Sequence, residues 1–113
     1  MILSYKHKKI PINAKSISFL RKFSGLMFRT RSTENLLFDF SANTKTPIHS
    51  FFVFFPFLAI WLDAENRVIE CRIVKPFSTA IRPGRAYRKL IELPFNDANA
   101  AIIELLVGEE RFK

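Results

Sequence analysis

The residues that could do chemistry are few, and they form no recognisable catalytic motif. The two histidines, His7 and His49, have no cysteine or carboxylate at the spacings typical of metal sites, such as HxxxH or CxxC. No GxSxG elbow is present to activate a serine, and the acidic residues are scattered rather than paired. We therefore expect no metal and no cofactor, and the sequence favours a non-catalytic domain over an enzyme.

Cys71 is the only cysteine, so an intramolecular disulfide is excluded. It falls in the interior of a predicted strand. A thiol there is far more often a core residue than a nucleophile, because nothing in a strand interior lowers its pKa.

Three residues are the candidates for a binding site: Arg29, His49 and Lys75. Arg29 and Lys75 carry permanent or nearly permanent positive charge, which favours an anionic ligand. His49 precedes an apolar strand and could face a cleft, although a structural histidine at a strand mouth is the simpler explanation. We predict a non-catalytic binding or interaction module for an anionic small ligand or partner. An enzyme of unknown reaction with a site near His49 is an alternative.

The net charge of +8 arises entirely in the first third of the chain. No acidic residue precedes Glu34, whereas ten basic and ten acidic residues balance each other from there on. Such asymmetry favours contact with a polyanion, but a solvated basic face explains it as well, and no aromatic-basic RNA signature accompanies it. Nucleic-acid binding without sequence specificity is therefore an alternative function. Its candidate residues are Lys6, Lys8, Lys9, Lys15, Arg21, Lys22, Arg29, Arg31, Arg82, Arg85 and Arg88.

These side chains must be positioned by elements arranged around the apolar run from His49 to Asp63. The run is shorter than the roughly 20 residues of a membrane-spanning helix, and Pro56 would disrupt a helix near its middle. Its aromatic and β-branched residues predict two buried strands, at about 50–55 and 57–63. Because both faces of the run are apolar, we expect a central strand that is covered on both sides and does not span a membrane.

Shorter elements flank this run. An apolar stripe predicts a helix over 14–23, capped by Asn13 and ended by Gly25. Asp97 is expected to cap a second helix, over 98–103. In the predicted hairpin turn at 63–67, Asn66 takes a positive φ. Strands are predicted at 2–5, 36–40, 67–74 and 87–93, a loop at 41–47, and an edge strand at 109–113. Alternation places Ile69, Cys71 and Ile73 on one face of their strand.

Together these elements predict a mainly β fold with short helices, a single-domain β-sandwich or partly closed barrel over residues 1–113. The length is typical of one domain. The basic N-terminus has no apolar run of signal-peptide length behind it. We therefore expect a soluble, cytoplasmic protein. The oligomeric state stays open.

The order of five landmarks resembles a known family. Gly25 to Arg29 looks like its GLMFR signature, and Leu36 to Phe40 looks like its LLFxF strand. His49 to Phe52, followed by Pro56 to Asp63, is similar to its HxFF…P…IxxLD block. Val74 to Phe77 and Leu90 to Pro94 complete the set. Over about residues 20–95 the chain resembles the domain of unknown function 192 family, also called uncharacterised protein family 0127. The resemblance implies a small β-sandwich-like domain with no established activity.

The chain departs from the family at positions that bear on function. Many members have an aspartate two residues after the central proline, where this chain has Leu58. The polar Met-Lys-Asn element before that proline is replaced here by Val53, Phe54 and Phe55. If those polar groups form a site in the family, most of it is missing here. The chain also resembles a short form that lacks a signal peptide.

Overall fold

The computed structural model describes residues 1–17, 26, 29–50 and 52–108. Within them the chain forms seven strands, a single 3-10 turn over Asp97–Asn99 and one helix. The strands are β1 (Ile2–Tyr5), β2 (Lys8–Pro11), β3 (Lys15–Ser16), β4 (Leu36–Thr44), β5 (Phe57–Leu62), β6 (Val68–Val74) and β7 (Tyr87–Pro94), and the helix is α1 (Ala100–Val107). Among these residues, no helix is long and apolar enough to cross a membrane.

The strands form two sheets. Strands β1 and β2 make an antiparallel hairpin, and the other five are ordered β3-β4-β7-β5-β6. Every neighbouring pair in the larger sheet is antiparallel except β3 and β4, which run parallel. The predicted mainly β fold is confirmed. Within the described part of the chain, neither sheet closes into a barrel.

Strand β5 lies at the centre of the protein, because all six of its residues are buried. Phe57, Ala59 and Trp61 point to one side of the sheet, which we call the aromatic face. Leu58 and Ile60 point to the other side, where the β1–β2 hairpin and α1 cover them. The prediction that this strand is covered on both faces is confirmed. The apolar residues of the aromatic face are Ile17, Leu26, Leu36, Phe38, Val53, Phe55, Phe57, Ala59, Trp61, Val74, Tyr87 and Leu90.

The predicted strand at 50–55 is wrong for the residues that the structure describes. The Val53 amide donates to the Ser50 carbonyl at 3.1 Å, and Phe52 has φ of 57°, so the segment turns instead of extending. Its burial nevertheless alternates, with Val53 and Phe55 inside and Phe52 and Phe54 outside. Buried and exposed side chains therefore alternate in the described part of this segment without any strand pairing.

The helix predicted over 14–23 is wrong at its start. Lys15 and Ser16 form β3 and pair with Leu36 and Leu37 of β4. The rest of that prediction, including the stop at Gly25, lies outside the described residues. The loop predicted at 41–47 is wrong for 41–44, because β4 continues to Thr44 past an irregularity at which Ser41 has φ of 63°.

Two further predictions are wrong in detail. The β5–β6 register shifts after Trp61, so Ile69 packs against the aromatic face while Cys71 and Ile73 pack on the other side. The turn before α1 is capped by Asn96 rather than Asp97, since the Asn96 side chain accepts from the Asn99 amide at 3.0 Å. The positive φ of Asn66 in its hairpin turn is confirmed at 63°. The edge strand predicted at 109–113 lies outside the described residues.

Candidate functional site

A buried carboxyl group, that of Glu92, is the outstanding polar feature of the aromatic face. Glu92 pairs with Leu36 of β4 on one side and Ala59 of β5 on the other. The strand period of two puts it on the same face as Leu90, inside the core. Glu92 is 6% exposed, and its Oε1 atom has no hydrogen-bond partner among the residues that the structure describes.

The residue that pairs with Glu92 on β5 is the small Ala59. Ala59 separates Glu92 from Arg72 of β6, and the three form one row across β7, β5 and β6. Arg72 pairs with Glu70, and its guanidinium carbon lies 5.7 Å from the Trp61 ring centroid. The indole Nε1 of Trp61 is also buried without a partner in the described part of the chain. One face of the sheet thus holds two buried polar atoms that make no hydrogen bond to any residue the structure describes.

Burial determines the protonation of Glu92. It raises the pKa of this carboxyl to about 8, and the opposing charge of Arg29 lowers it only in part. The carboxyl is therefore mainly neutral at pH 7. Burial, followed by the charge of Glu92, likewise raises the pKa of Tyr87 to about 12, and the Tyr87 hydroxyl donates to the Thr46 carbonyl at 2.6 Å. The aromatic face thus combines a neutral acid with a nearby guanidinium.

Of the three predicted binding residues, Arg29 is the one that interacts with Glu92. It is half-buried, and its Nη1 donates to Thr33 Oγ1 at 3.2 Å. His49 and Lys75 are exposed on two adjoining segments at one end of the sheet. These segments are joined by Ser50, whose Oγ donates to the Lys75 carbonyl at 2.6 Å. The structure thus brings the segments of His49 and Lys75 together, whereas Arg29 contacts Thr33 and acts electrostatically on Glu92.

The predicted basic residues are distributed over several surfaces. Lys6, Lys8 and Lys9 are exposed on the β1–β2 hairpin. Lys15 lies 3.9 Å from Glu34, and Arg88 lies 3.2 Å from Asp39. The exposed remainder comprises Arg31, Arg82 and Arg85. Arg21 and Lys22 lie outside the described residues.

The other candidate groups have structural environments. Burial raises the pKa of the Cys71 thiol to about 12, as expected for a core cysteine. No group of three or more His, Cys, Asp or Glu side chains that could hold a metal occurs in the described ranges. Val53, Phe55 and Leu58, which occupy positions where the family resemblance implied polar groups, are buried in the core.

Sequence reasoning missed Glu92 as a site residue. It treated Leu90 to Pro94 as a family landmark and a strand. The available signal was a single acidic residue in the otherwise apolar stretch Leu90–Pro94, in a sheet predicted to be covered on both sides. A carboxylate at such a position is rarely buried without a partner.

Comparison with known proteins places the chain among uncharacterised relatives. Residues 7–106 match the DUF192 family, described as an uncharacterized ACR. UPF0127 protein TK1120 of Thermococcus kodakarensis is 33% identical over 79 residues, which are 68% of this chain and 50% of that relative. The chain therefore spans half the length of this curated relative.

A solved structure shares the fold. It is a protein of unknown function from Novosphingobium aromaticivorans, similar with a TM-score of 0.72 and 15% identity over 89% of this chain and 75% of that one. Arg29 and Glu92 both lie within residues 7–106, the range that matches the family. This chain belongs to the DUF192 family.

Proposed function

We propose that this domain is a non-catalytic binding module for a small anionic ligand, held by Arg29 and Glu92. The observation that carries the proposal is that Glu92 Oε1, inside the aromatic face, has no hydrogen-bond partner among residues 1–17, 26, 29–50 and 52–108. A buried polar atom left without a hydrogen bond costs about 1–3 kcal/mol. Native structures keep few such atoms, and those they keep are accounted for by strain, a catalytic role, or a bound water or ion.

The protonation of Glu92 explains why the ligand is an anion. An ionised glutamate would repel a carboxylate or phosphate, whereas a neutral carboxyl can donate a hydrogen bond to one. Arg29 supplies a planar, permanently charged donor set suited to oxyanions. Burial of Glu92 also reduces competition from water, which strengthens hydrogen bonds made there. The indole N–H of Trp61, on the same face, provides a further donor.

In this proposal His49 and Lys75 lie outside the buried site formed by Arg29 and Glu92. Both lie on the segments next to the end of the sheet where Phe57 pairs with Val74 and Pro94. Phe57 belongs to the aromatic face, two residues along β5 from Ala59. Exposed charge at that end attracts an anion before it reaches the buried groups.

Isothermal titration with a panel of carboxylates and inorganic phosphate tests the proposal. We expect the affinity of the wild type for at least one of these anions to fall as the pH rises through about 8, because Glu92 then ionises. Arg29→Ala should weaken binding at least tenfold, corresponding to about 1.4 kcal/mol. Glu92→Gln keeps a donor without a titrating proton, so its affinity should stay constant across that pH range.

Lys8→Ala is the matched control, because it removes an exposed cation on the β1–β2 hairpin, which covers the opposite face of the sheet. Its affinity should equal that of the wild type. Equal anion affinity in Arg29→Ala, Glu92→Leu and wild type would contradict the site. Turnover of a bound anion by the wild type would contradict the non-catalytic part of the proposal.

A further inference from the structure

Three exposed phenylalanines, Phe52, Phe54 and Phe77, form a cluster that we call the phenylalanine knob. Their exposed fractions are 47%, 61% and 49%. The Phe77 ring centroid lies 6.3 Å from that of Phe52 and 5.3 Å from that of Phe54. Isolated exposed apolar residues are common on protein surfaces, but a contiguous group marks an interaction site.

The knob is held in place by Ser50, which is fully buried beneath it. The Ser50 carbonyl accepts from the amides of Val53 at 3.1 Å and Phe77 at 2.9 Å. Its hydroxyl accepts from the Ser78 amide at 2.6 Å and donates to the Lys75 carbonyl at 2.6 Å. One residue therefore links both segments that carry the rings, so that binding through them loses little conformational entropy.

The backbone of the knob is also under local strain. Phe52 has φ of 57° and Phe77 has φ of 59°, values in the left-handed region that bulky residues rarely adopt. Such conformations persist where the surrounding hydrogen bonds enforce them, and they cluster at ligand-binding and switch regions. The strain therefore falls on two of the three residues whose rings are exposed.

The charge around the knob selects its partner. The segments that carry the rings, residues 40–62 and 71–91, contain no acidic residue of their own, although Glu70 accepts from the Gly84 amide at 2.9 Å. They contribute the exposed cations Lys45, Lys75, Arg82 and Arg85, together with Arg72, which pairs with Glu70. A second copy of this chain would bring the same positive charge to the contact, so it is disfavoured. An anionic partner is favoured.

The geometry of the rings distinguishes between two anionic partners. Successive bases of a single-stranded nucleic acid stack on accessible ring faces. The rings of Phe52 and Phe54 instead lie at 72° and 76° to Phe77, so the three present edges and faces in mixed directions. This is an apolar surface suited to hydrocarbon rather than a stacking platform. We propose that the phenylalanine knob docks the protein on an anionic lipid bilayer, with the rings in the acyl boundary and the surrounding cations at the headgroups.

Co-sedimentation with vesicles tests this inference, using phosphatidylcholine with and without phosphatidylglycerol. The wild type should pellet with the anionic vesicles and much less with neutral ones. Salt should weaken this association, because the screening length falls from about 10 Å at 0.1 M to about 3 Å at 1 M. The double variant Phe52→Asn/Phe77→Asn should lower the partition coefficient at least tenfold. Asparagine adopts positive φ readily, so this variant should keep the wild-type melting temperature.

Leu105→Ser is the matched control, since Leu105 is an exposed large apolar residue on α1 with 41% exposure. It should partition as the wild type does. Failure of the wild type to pellet with anionic vesicles would overturn the proposal, as would equal partitioning of the double variant. Ring-dependent binding of oligouridylate without vesicle binding would assign the knob to nucleic acid instead. Because neither variant touches Arg29 or Glu92, these outcomes are independent of the anion site.

Discussion

At the scale of single residues, Glu92 links the stability of the protein to pH. A carboxyl whose pKa is near 8 in the folded protein and near 4.5 in the unfolded chain binds its proton more tightly when folded. Below about pH 4.5 both states are protonated and the stability is complete. As the pH rises through about 8, the folded protein must bury a charge, and the stability is lost.

We therefore predict that Glu92→Gln removes a pH-dependent loss of stability. Between pH 5 and pH 8.5 the free energy of unfolding of the wild type should fall by roughly 3–5 kcal/mol, because each pH unit between the two pKa values is worth about 1.4 kcal/mol. The variant should show a much smaller fall. Urea unfolding at the two pH values measures the difference. Cys71 and Tyr87 do not ionise between pH 5 and pH 8.5, because the pKa of each is about 12.

The control for this experiment is Glu104→Gln, which alters an exposed glutamate on α1. Its stability should depend on pH as that of the wild type does. If Glu92→Gln also follows the wild type, the carboxyl is not the source of the pH dependence, and the neutral acid required by the proposed anion site is lost with it.

At the scale of elements, the start of the C-terminal helical segment shows how local chemistry decides a boundary. Asn96 has extended backbone angles and its side chain accepts from the Asn99 amide, so it fills the capping position. Its Nδ2 atom also donates to the Arg31 carbonyl at 2.9 Å, which ties the loop before β4 to this turn. Asp97 lies one residue further, inside the first turn.

We predict that Asn96→Ala destabilises the protein by about 1–2 kcal/mol, because it removes the cap and the contact with the Arg31 loop. Asp97→Ala, the matched control, should cost less, since an acidic residue in the first turn contributes only a favourable interaction with the helix dipole. Chemical denaturation of both variants gives the comparison. A larger loss for Asp97→Ala would restore the assignment made from sequence.

Elements with a local signal were predictable from the sequence, and those defined by distant contacts were not. The apolar β5 and the turn at Asn66 follow from residue types alone. Strand β3 exists only because Lys15 and Ser16 meet β4, and no local pattern encodes that pairing. Segment 50–55 alternates like a strand because its side chains alternate between core and solvent, although Ser50 holds its backbone in a turn.

The candidate site was predictable only in part for a related reason. Arg29 was identified by its charge, which is visible in any sequence. The importance of Glu92 depends on burial and on an unused hydrogen-bonding atom, and both are set by how β7 pairs with β4 and β5. The phenylalanine knob was hidden for the same reason, because its rings lie within a run that otherwise forms the core.

At the scale of the whole molecule, the positive charge is spread over several surfaces instead of one. The β1–β2 hairpin carries Lys6, Lys8 and Lys9, whereas Arg82 and Arg85 follow the segment next to the phenylalanine knob. Two of the predicted nucleic-acid-binding residues already pair with carboxylates: Lys15 with Glu34, and Arg88 with Asp39. Nucleic-acid binding through the basic first third stays a prediction.

The position of β7 gives a further prediction. Although it is the last strand of the described residues, it pairs with both β4 and β5 in the middle of the larger sheet. A chain ending at residue 86 should therefore lack cooperative unfolding, because β4 and β5 have no direct pairing to replace it. Circular dichroism during heating measures this. A truncation after residue 99 is the comparison: it keeps β7, removes α1 and the residues after it, and should retain a weaker but cooperative transition.

The same strand order has a consequence during synthesis on the ribosome. Until residues 87–94 have emerged from the exit tunnel, β4 and β5 each present an open backbone edge and an apolar surface. Such a nascent chain pairs readily with other chains, so its lifetime in that state depends on how quickly residues 87–94 emerge. Any delay in translation or release before residues 87–94 leave the tunnel would lengthen the vulnerable interval.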